Sequence, residues 1–330
     1  MPRILEPTEQ AITEAAALIR AGGLVAFPTE TVYGLGANAL DGQAVARIFA
    51  AKGRPSFNPL ISHGDGVAML EPHAVFDDRA RALADKFWPG PLTLILPRAR
   101  NCGVSELVTA GLETIAVRVP AHKGALALIA ATGVPIAAPS ANKSGEISPT
   151  SPAHVAQSLG EGVPLILAGG STKYGLESTV LDLTGGHPAI VRPGAVTAED
   201  IAAVLECPVP YELEVTEKPR SPGQLLRHYA PSIPIRLNAI DVEPGEALLA
   251  FGPTKFMGIR GGGFAHDLSP ESFRNLSESG DLLEAAANLF GFLRALDVPQ
   301  NKRIAVMNIP NTGIGVAIND RLSRAAGARG

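Results

Sequence analysis

Cysteine is scarce in this chain: Cys102 and Cys207 are the only two in 330 residues, far apart and outside any C-x-x-C spacing. They exclude a multi-cysteine zinc site and suit a reducing compartment. Long apolar runs are missing too. None approaches the roughly 18 to 20 residues needed to cross a bilayer, and the opening MPRILEPTEQ has no apolar core of signal-peptide length. A cytoplasmic chain without a membrane segment is expected. There is no excess of positive charge: the net charge is −4, with 15 basic and 19 acidic residues up to residue 206 and 13 of each after it. That balance argues against a nucleic-acid binder working by broad electrostatics, although a small basic pocket depends on placement and not on the sum.

Several chemical signatures are also absent. The chain has no G-x-x-x-x-G-K-[ST] phosphate loop, no G-x-S-x-G elbow, no H-E-x-x-H and no clustered metal ligands. Any ATP site must therefore be built differently, and no protein-held metal is expected. One decoy needs removal. Gly34-Leu35-Gly36-Ala37-Asn38-Ala39 matches G-x-G-x-x-A, but six residues separate it from Phe27, where a dinucleotide fingerprint needs a tight turn. No acid for a ribose hydroxyl stands in the segment about 20 residues on, Arg54-Pro55-Ser56-Phe57-Asn58.

What is present is core-forming material. Hydrophobic residues make up 46% and charged residues 18%, enough for a large buried core, and the length suggests two domains. Residues 1–206 alternate helical and strand-like segments. Thr8 and Asp41 stand as helix caps, and short apolar runs end at polar or proline residues. Residues 207–233 hold five prolines without a clear period and read as a long ordered connection. Residues 234–330 resume a smaller α/β pattern.

Polar residues gather where strands end. Pro28-Thr29-Glu30-Thr31-Val32-Tyr33-Gly34 sets two hydroxyls, a carboxylate and a phenol in one loop. Lys52 and Arg54 flank a glycine and could present two cations to a polyphosphate; Asn58 and His63 follow. Thr114 and Arg118 share one face of an apolar strand, so Arg118 needs an anionic partner, from the protein or from a ligand. Ser140, Ser144 and Ser148 could bind phosphate or merely cap helices. Glu177-Ser178 opens one strand and Arg192 closes another. Together these residues suggest a hydroxyl-rich, cation-bearing pocket of the kind that open α/β sheets place at strand ends.

The ordered segments PTETVYGLGANA, KGRPSFNPL, WPGPLTLIL, TIAVRVPAH, PIAAPSANKSGEISPT, ESTVLDLT and VRPGAV resemble the threonylcarbamoyl-AMP synthase family, whose catalytic module is a YrdC-like domain. SPGQLLRHYAP and NTGIGVAINDRLSRAA resemble its longer, two-domain branch. The resemblance implies an α/β fold: a YrdC-like twisted mixed sheet with a concave basic cavity over residues 1–206, and a small Rossmann-like domain over 234–330. It implies threonine contacts at Thr29, His63, Arg118, Ala138 and Ser178. It implies ATP contacts at Arg54, Asn58, Thr114, Ser140, Ser148, Arg192 and Tyr229, with Lys52 beside the phosphates, so that Lys52 and Arg54 carry the catalytic charge. Residues 207–233 are then expected to form a lid in which Tyr229 touches ATP without contributing to stability.

The implied chemistry needs no covalent enzyme intermediate. Threonine and bicarbonate give a carbamate, which attacks the α-phosphorus of ATP and releases pyrophosphate. Mg²⁺ accompanies the triphosphate, and a downstream threonylcarbamoyl transferase complex modifies tRNA, which this chain could also touch directly. Two rivals stay open at this point: an RNA-binding protein using a basic concave surface, and a carbamoyl transferase of hydrogenase-maturation type. The latter family carries acylphosphatase-like and zinc-finger segments that this chain lacks.

Overall fold

Short polar side chains start the helices where the sequence places them. The Thr8 hydroxyl accepts from the Ala11 amide at the head of α1 (Glu9–Arg20), which buries Ala11, Ala15, Ala16 and Ile19. Asp41 accepts from the amides of Gln43 and Ala44 at the head of α2 (Gly42–Lys52), and Gly53 closes that helix at φ 58°. Lys52 is thereby delivered at the end of a capped helix. After α3 (Val67–Leu70), Asp77 caps α4 (Asp78–Phe87). Further along come α5 (Glu106–Thr109), α6 (Lys123–Thr132), α7 (Pro152–Leu159) and α8 (Ala198–Leu205).

The structure is a computed structural model describing residues 1–213, 228–254, 257–260 and 262–327. It forms two units: Met1–Ser144, Ser148–Lys173 and Glu177–Leu225 make the first, while Gly145–Ile147, Tyr174–Leu176 and Leu226–Gly330 make the second. Among the described residues no helix is long and apolar enough to cross a membrane.

The strands of the first unit are β1 (Arg3–Leu5), β2 (Val25–Phe27), β3 (Gly34–Asn38), β4 (Ile61–His63), β5 (Leu92–Pro97), β6 (Thr114–Arg118), β7 (Ile136–Ala137), β8 (Leu165–Leu167), β9 (Thr179–Asp182) and β10 (Ala189–Arg192). They join one mixed sheet in the order β1-β8-β2-β3-β7-β4-β6-β5-β9-β10. A large apolar cluster including Leu35, Val45, Ile48, Leu94, Val117 and Leu181 forms the main core, and a second packs around Ile19, Phe27, Leu128, Ile129 and Leu167.

The glycine-rich decoy turns out to be a strand. Gly34–Asn38 pairs antiparallel with β2 and β7. A Cβ at Gly36 would come 2.8 Å from Phe27 and 2.9 Å from Ile136. Glycine is needed here for side chains on neighbouring strands, not for a pyrophosphate. Beyond α8 the chain returns to the sheet: the Ile190 amide donates to the Pro210 carbonyl (2.9 Å), and the Glu212 amide donates to the Ile190 carbonyl (2.8 Å). Residues 210–212, assigned by sequence to the connection, are thus paired with β10.

The second unit holds a parallel sheet of β11 (Ile235–Arg236), β12 (Glu246–Ala250), β13 (Phe273–Asn275) and β14 (Arg303–Val306), in the order β11-β14-β12-β13. Its principal helices are α9 (Leu282–Leu296), capped by Asp281, and α10 (Gly315–Ala326). A parallel sheet with α9 between β13 and β14 and α10 after β14 fits the expected small α/β architecture.

Candidate active site

The sheet register builds a row of functional groups across the first unit. His63 on β4 is level with Arg118 on β6. Leu94 is level with Val117, so Thr93 on β5 comes level with Arg118. Thr93 is level with Val180 on β9, which faces Arg192 on β10 across a local irregularity. Residues level across a sheet project from the same face. The apolar patch Ile61, Ile95, Ala116, Val180 and Val191 adjoins this row. Sequence reasoning placed polar groups at strand ends; the structure lines several of them up across five strands.

Arg118 is almost wholly buried, and its donors are largely committed. Nη2 donates to Glu30 Oε1 (2.5 Å) and to Thr31 Oγ1 (3.0 Å), and Nε donates to the Gly90 carbonyl (3.1 Å). The other Glu30 oxygen accepts from the Ala121 amide at 2.9 Å. Between a protein partner and a ligand partner for this cation, the structure shows the protein one. It leaves Nη1 without a hydrogen bond among the described residues. Gly90 can be nothing larger, since a Cβ there would lie 2.1 Å from the Phe87 carbonyl oxygen.

Thr29 organises the loop that carries Glu30. Its hydroxyl donates to the Val32 carbonyl (2.6 Å), lies 2.8 Å from Thr31 Oγ1, and accepts from the amides of Thr31 and Val32. His63 lies within β4, not beyond it, and is 97% buried, its Nδ1 without a hydrogen bond among the described residues. Burial first, then the Arg118 cation and more weakly that of Arg192, pull its pKa down to about 3. The imidazole is therefore neutral at pH 7.

Lys52 and Arg54 hold backbone carbonyls. Lys52 Nζ donates to the carbonyls of Ser140 (2.6 Å) and Asn142, fastening the loop after β7. That loop also pairs with residues 33–35, the Leu35 amide donating to Pro139 and the Ala141 amide to Tyr33. Ser140 and Ala138 are carried with it, the Ala138 amide donating to Ile61. Arg54 Nη2 donates to the Pro59 carbonyl at 3.1 Å, which folds loop 54–59 around Asn58. Asn58 is fully buried, and neither side-chain amide atom has a hydrogen bond among the described residues.

Ser178 and Arg192 form a second cluster. The Ser178 hydroxyl lies 2.8 Å from Thr93 Oγ1, and Arg192 donates to it through Nη2 and to the Ser178 carbonyl through Nε, both at 3.0 Å. Gly194 lets the Arg192-Pro193-Gly194 turn lie against this backbone, because a Cβ there would come 2.3 Å from the Thr179 nitrogen. Ser148 is buried and donates to Glu177 Oε1. Thr114 is half-buried at the start of β6, opposite Pro97.

Tyr229 belongs to the second unit. It is buried, at φ 62°, its ring stacked 5.6 Å from that of Phe290, with the Arg321 guanidinium 5.1 Å above. The expectation that it contributes nothing to stability is corrected: this ring is core. Of the expected lid, residues 214–227, including Ser221-Pro222-Gly223-Gln224 and Arg227, lie outside the described residues. Sequence reasoning gave no role to Glu30, Thr93 or Glu177. Glu30 stood in a motif already singled out; for Thr93 the signal was a lone hydroxyl in the apolar run Leu92–Leu96.

Comparison with known proteins adds to this geometry. A family model described as "Telomere recombination" matches residues 17–194, and one described as "Threonylcarbamoyl-AMP synthase, C-terminal domain" matches residues 196–327. The threonylcarbamoyl-AMP synthase of Bacillus subtilis is 42% identical over 98% of this chain and 95% of its own length. That of Pyrococcus abyssi is 43% identical over 97% and 95%. A crystal structure of P. abyssi Sua5 complexed with L-threonine superposes with a TM-score of 0.87 at 39% identity, covering 99% of this chain and 98% of that one.

Proposed function

The chain belongs to the threonylcarbamoyl-AMP synthase family, and from that premise we propose that it makes threonylcarbamoyl-AMP and pyrophosphate from L-threonine, bicarbonate and ATP, for tRNA modification. The observation that carries the reading is a set of buried polar atoms in one unit that find no partner among the described residues. They are His63 Nδ1, Ser62 Oγ and both amide atoms of Asn58, beside Arg118, whose Nη1 makes no hydrogen bond to the described residues. Buried polar groups ordinarily find partners, and a polar, anionic small molecule supplies them.

In this reading the threonine carboxylate meets Arg118, with His63, Thr29, Ser178 and the Ala138 backbone around the amino acid. Asn58, Arg54, Thr114, Ser140, Ser148 and Arg192 serve ATP, and Lys52 fastens the loop that presents Ser140. The threonine amine adds to CO2 derived from bicarbonate, forming the N–C bond and losing a proton. A carbamate oxygen then attacks the α-phosphorus, and the bond to pyrophosphate breaks. No side chain need act as nucleophile; positioning and charge neutralisation suffice. A neutral His63 suits this step, since it adds no positive charge beside the two arginines.

Mg²⁺ enters with ATP, its ligands mostly phosphate oxygens and water. The described residues hold no group of three or more His, Cys, Asp or Glu able to bind it alone. A separate transferase complex would pass the threonylcarbamoyl group to tRNA in the cytoplasm. The family match favours this reading over RNA binding or hydrogenase maturation. Mass spectrometry of the product formed from ¹³C-bicarbonate tests it: the label should appear in the carbamoyl carbon of an AMP conjugate of threonine. An unlabelled product, or AMP formed without any conjugate, would refute it.

A further inference from the structure

Glu30 is buried, and both its carboxylate oxygens are engaged, one by Arg118 Nη2 and one by the Ala121 amide. The hydroxyl of Thr31 takes a second hydrogen bond from Nη2, and the Gly90 carbonyl takes one from Nε. The Nε–Nη2 edge, which usually grips a carboxylate in a fork, is therefore occupied by the protein. We propose that Glu30 is a positioning residue for the reaction: it closes the forked edge of Arg118, so that the threonine carboxylate must be held at Nη1 and the amine is set where its carbamate can reach the α-phosphorus. This rests on the reading of Arg118 as the carboxylate partner.

The charges agree with such a role. Glu30 balances Arg118 before substrate arrives, so the guanidinium is not a solitary buried cation. Arg192, close enough to act on His63, remains as the second positive charge when the carboxylate binds. Without the Glu30 carboxylate, Nη2 keeps only Thr31 as a partner, Nε stays on the Gly90 carbonyl, and the substrate carboxylate can shift from Nη1 toward Nη2. Binding there is not weak, but it is displaced. A misplacement of about 1 Å can cost about 100-fold in rate.

Glu30→Gln is the direct test. A glutamine has one acceptor where Glu30 uses two, so either the Arg118 or the Ala121 contact is lost while shape is kept. Threonine affinity by calorimetry and kcat by pyrophosphate release should separate, with kcat falling roughly 10- to 100-fold and threonine Kd changing less than about 3-fold. ATP affinity should stay within the same about 3-fold range. Glu30→Asp keeps the charge but is too short to reach both partners; it covers the case in which the amide variant does not fold, and its kcat should fall at least about 3-fold. A kcat within twofold of the parent in a folded variant overturns the proposal. So does a Glu30 variant whose threonine Kd weakens as much as that of Arg118→Ala, because that marks general support of the site and not positioning. If Arg118→Ala itself leaves threonine affinity unchanged, the fault lies with the reading of Arg118, and the two failures are told apart.

Discussion

His63 and Arg118 are level partners on adjacent parallel strands, β4 and β6. A buried imidazole beside a fixed cation stays neutral, and its pKa drops to about 3. The consequence for stability has a definite sign. Above the ordinary histidine value near 6.5 neither state carries the proton, and nothing is lost. Between about 6.5 and about 3 the unfolded chain binds a proton that the folded chain refuses, so stability falls as pH falls. The slope from this one group approaches about 1.4 kcal/mol per pH unit. Denaturant midpoints between pH 7 and 5 should fall less steeply in His63→Gln than in the parent. Equal slopes would mean that the imidazole is not held neutral.

Lys52 ties α2 to the loop after β7 through the carbonyls of Ser140 and Asn142. Lys52→Ala strips donors from both, and an unsatisfied buried group costs about 1–3 kcal/mol. Hydrogen exchange should rise in residues 139–146, and ATP affinity should weaken more than threonine affinity. Unchanged exchange there would show that the tether is dispensable.

Tyr229 is buried against Phe290 and Arg321. Tyr229→Ala should destabilise the second unit by about 3–5 kcal/mol, the usual cost of deleting a core aromatic. Tyr229→Phe keeps the ring and should melt close to the parent. A melting temperature in Tyr229→Ala equal to the parent's would restore the view of this ring as a surface contact.

Helix starts were legible because Thr8 and Asp41 are followed by apolar positions at helical spacing, and each does accept from a first-turn amide. The Gly34–Asn38 strand was not. Gly36 is dictated by Phe27 and Ile136 on the neighbouring strands, and local pattern carries no such tertiary requirement. The same limit applies within the site. Sequence separates Glu30 from Arg118 by 88 residues, so their pairing is invisible until the sheet register is known. Arg118 could be recognised as needing an anion, but not which one. Lys52 read as a phosphate ligand because a lysine beside glycine looks like one; only folding reveals two carbonyls within its reach.

Pyrophosphate release by the full chain, measured with each substrate omitted in turn, tests the central claim most directly. With ATP, L-threonine and bicarbonate together, release should be sustained, and it should collapse to background when any one is removed or when alanine replaces threonine. Release that continues at full rate without bicarbonate, or equally with alanine, would contradict a carbamate attacking the α-phosphorus of ATP.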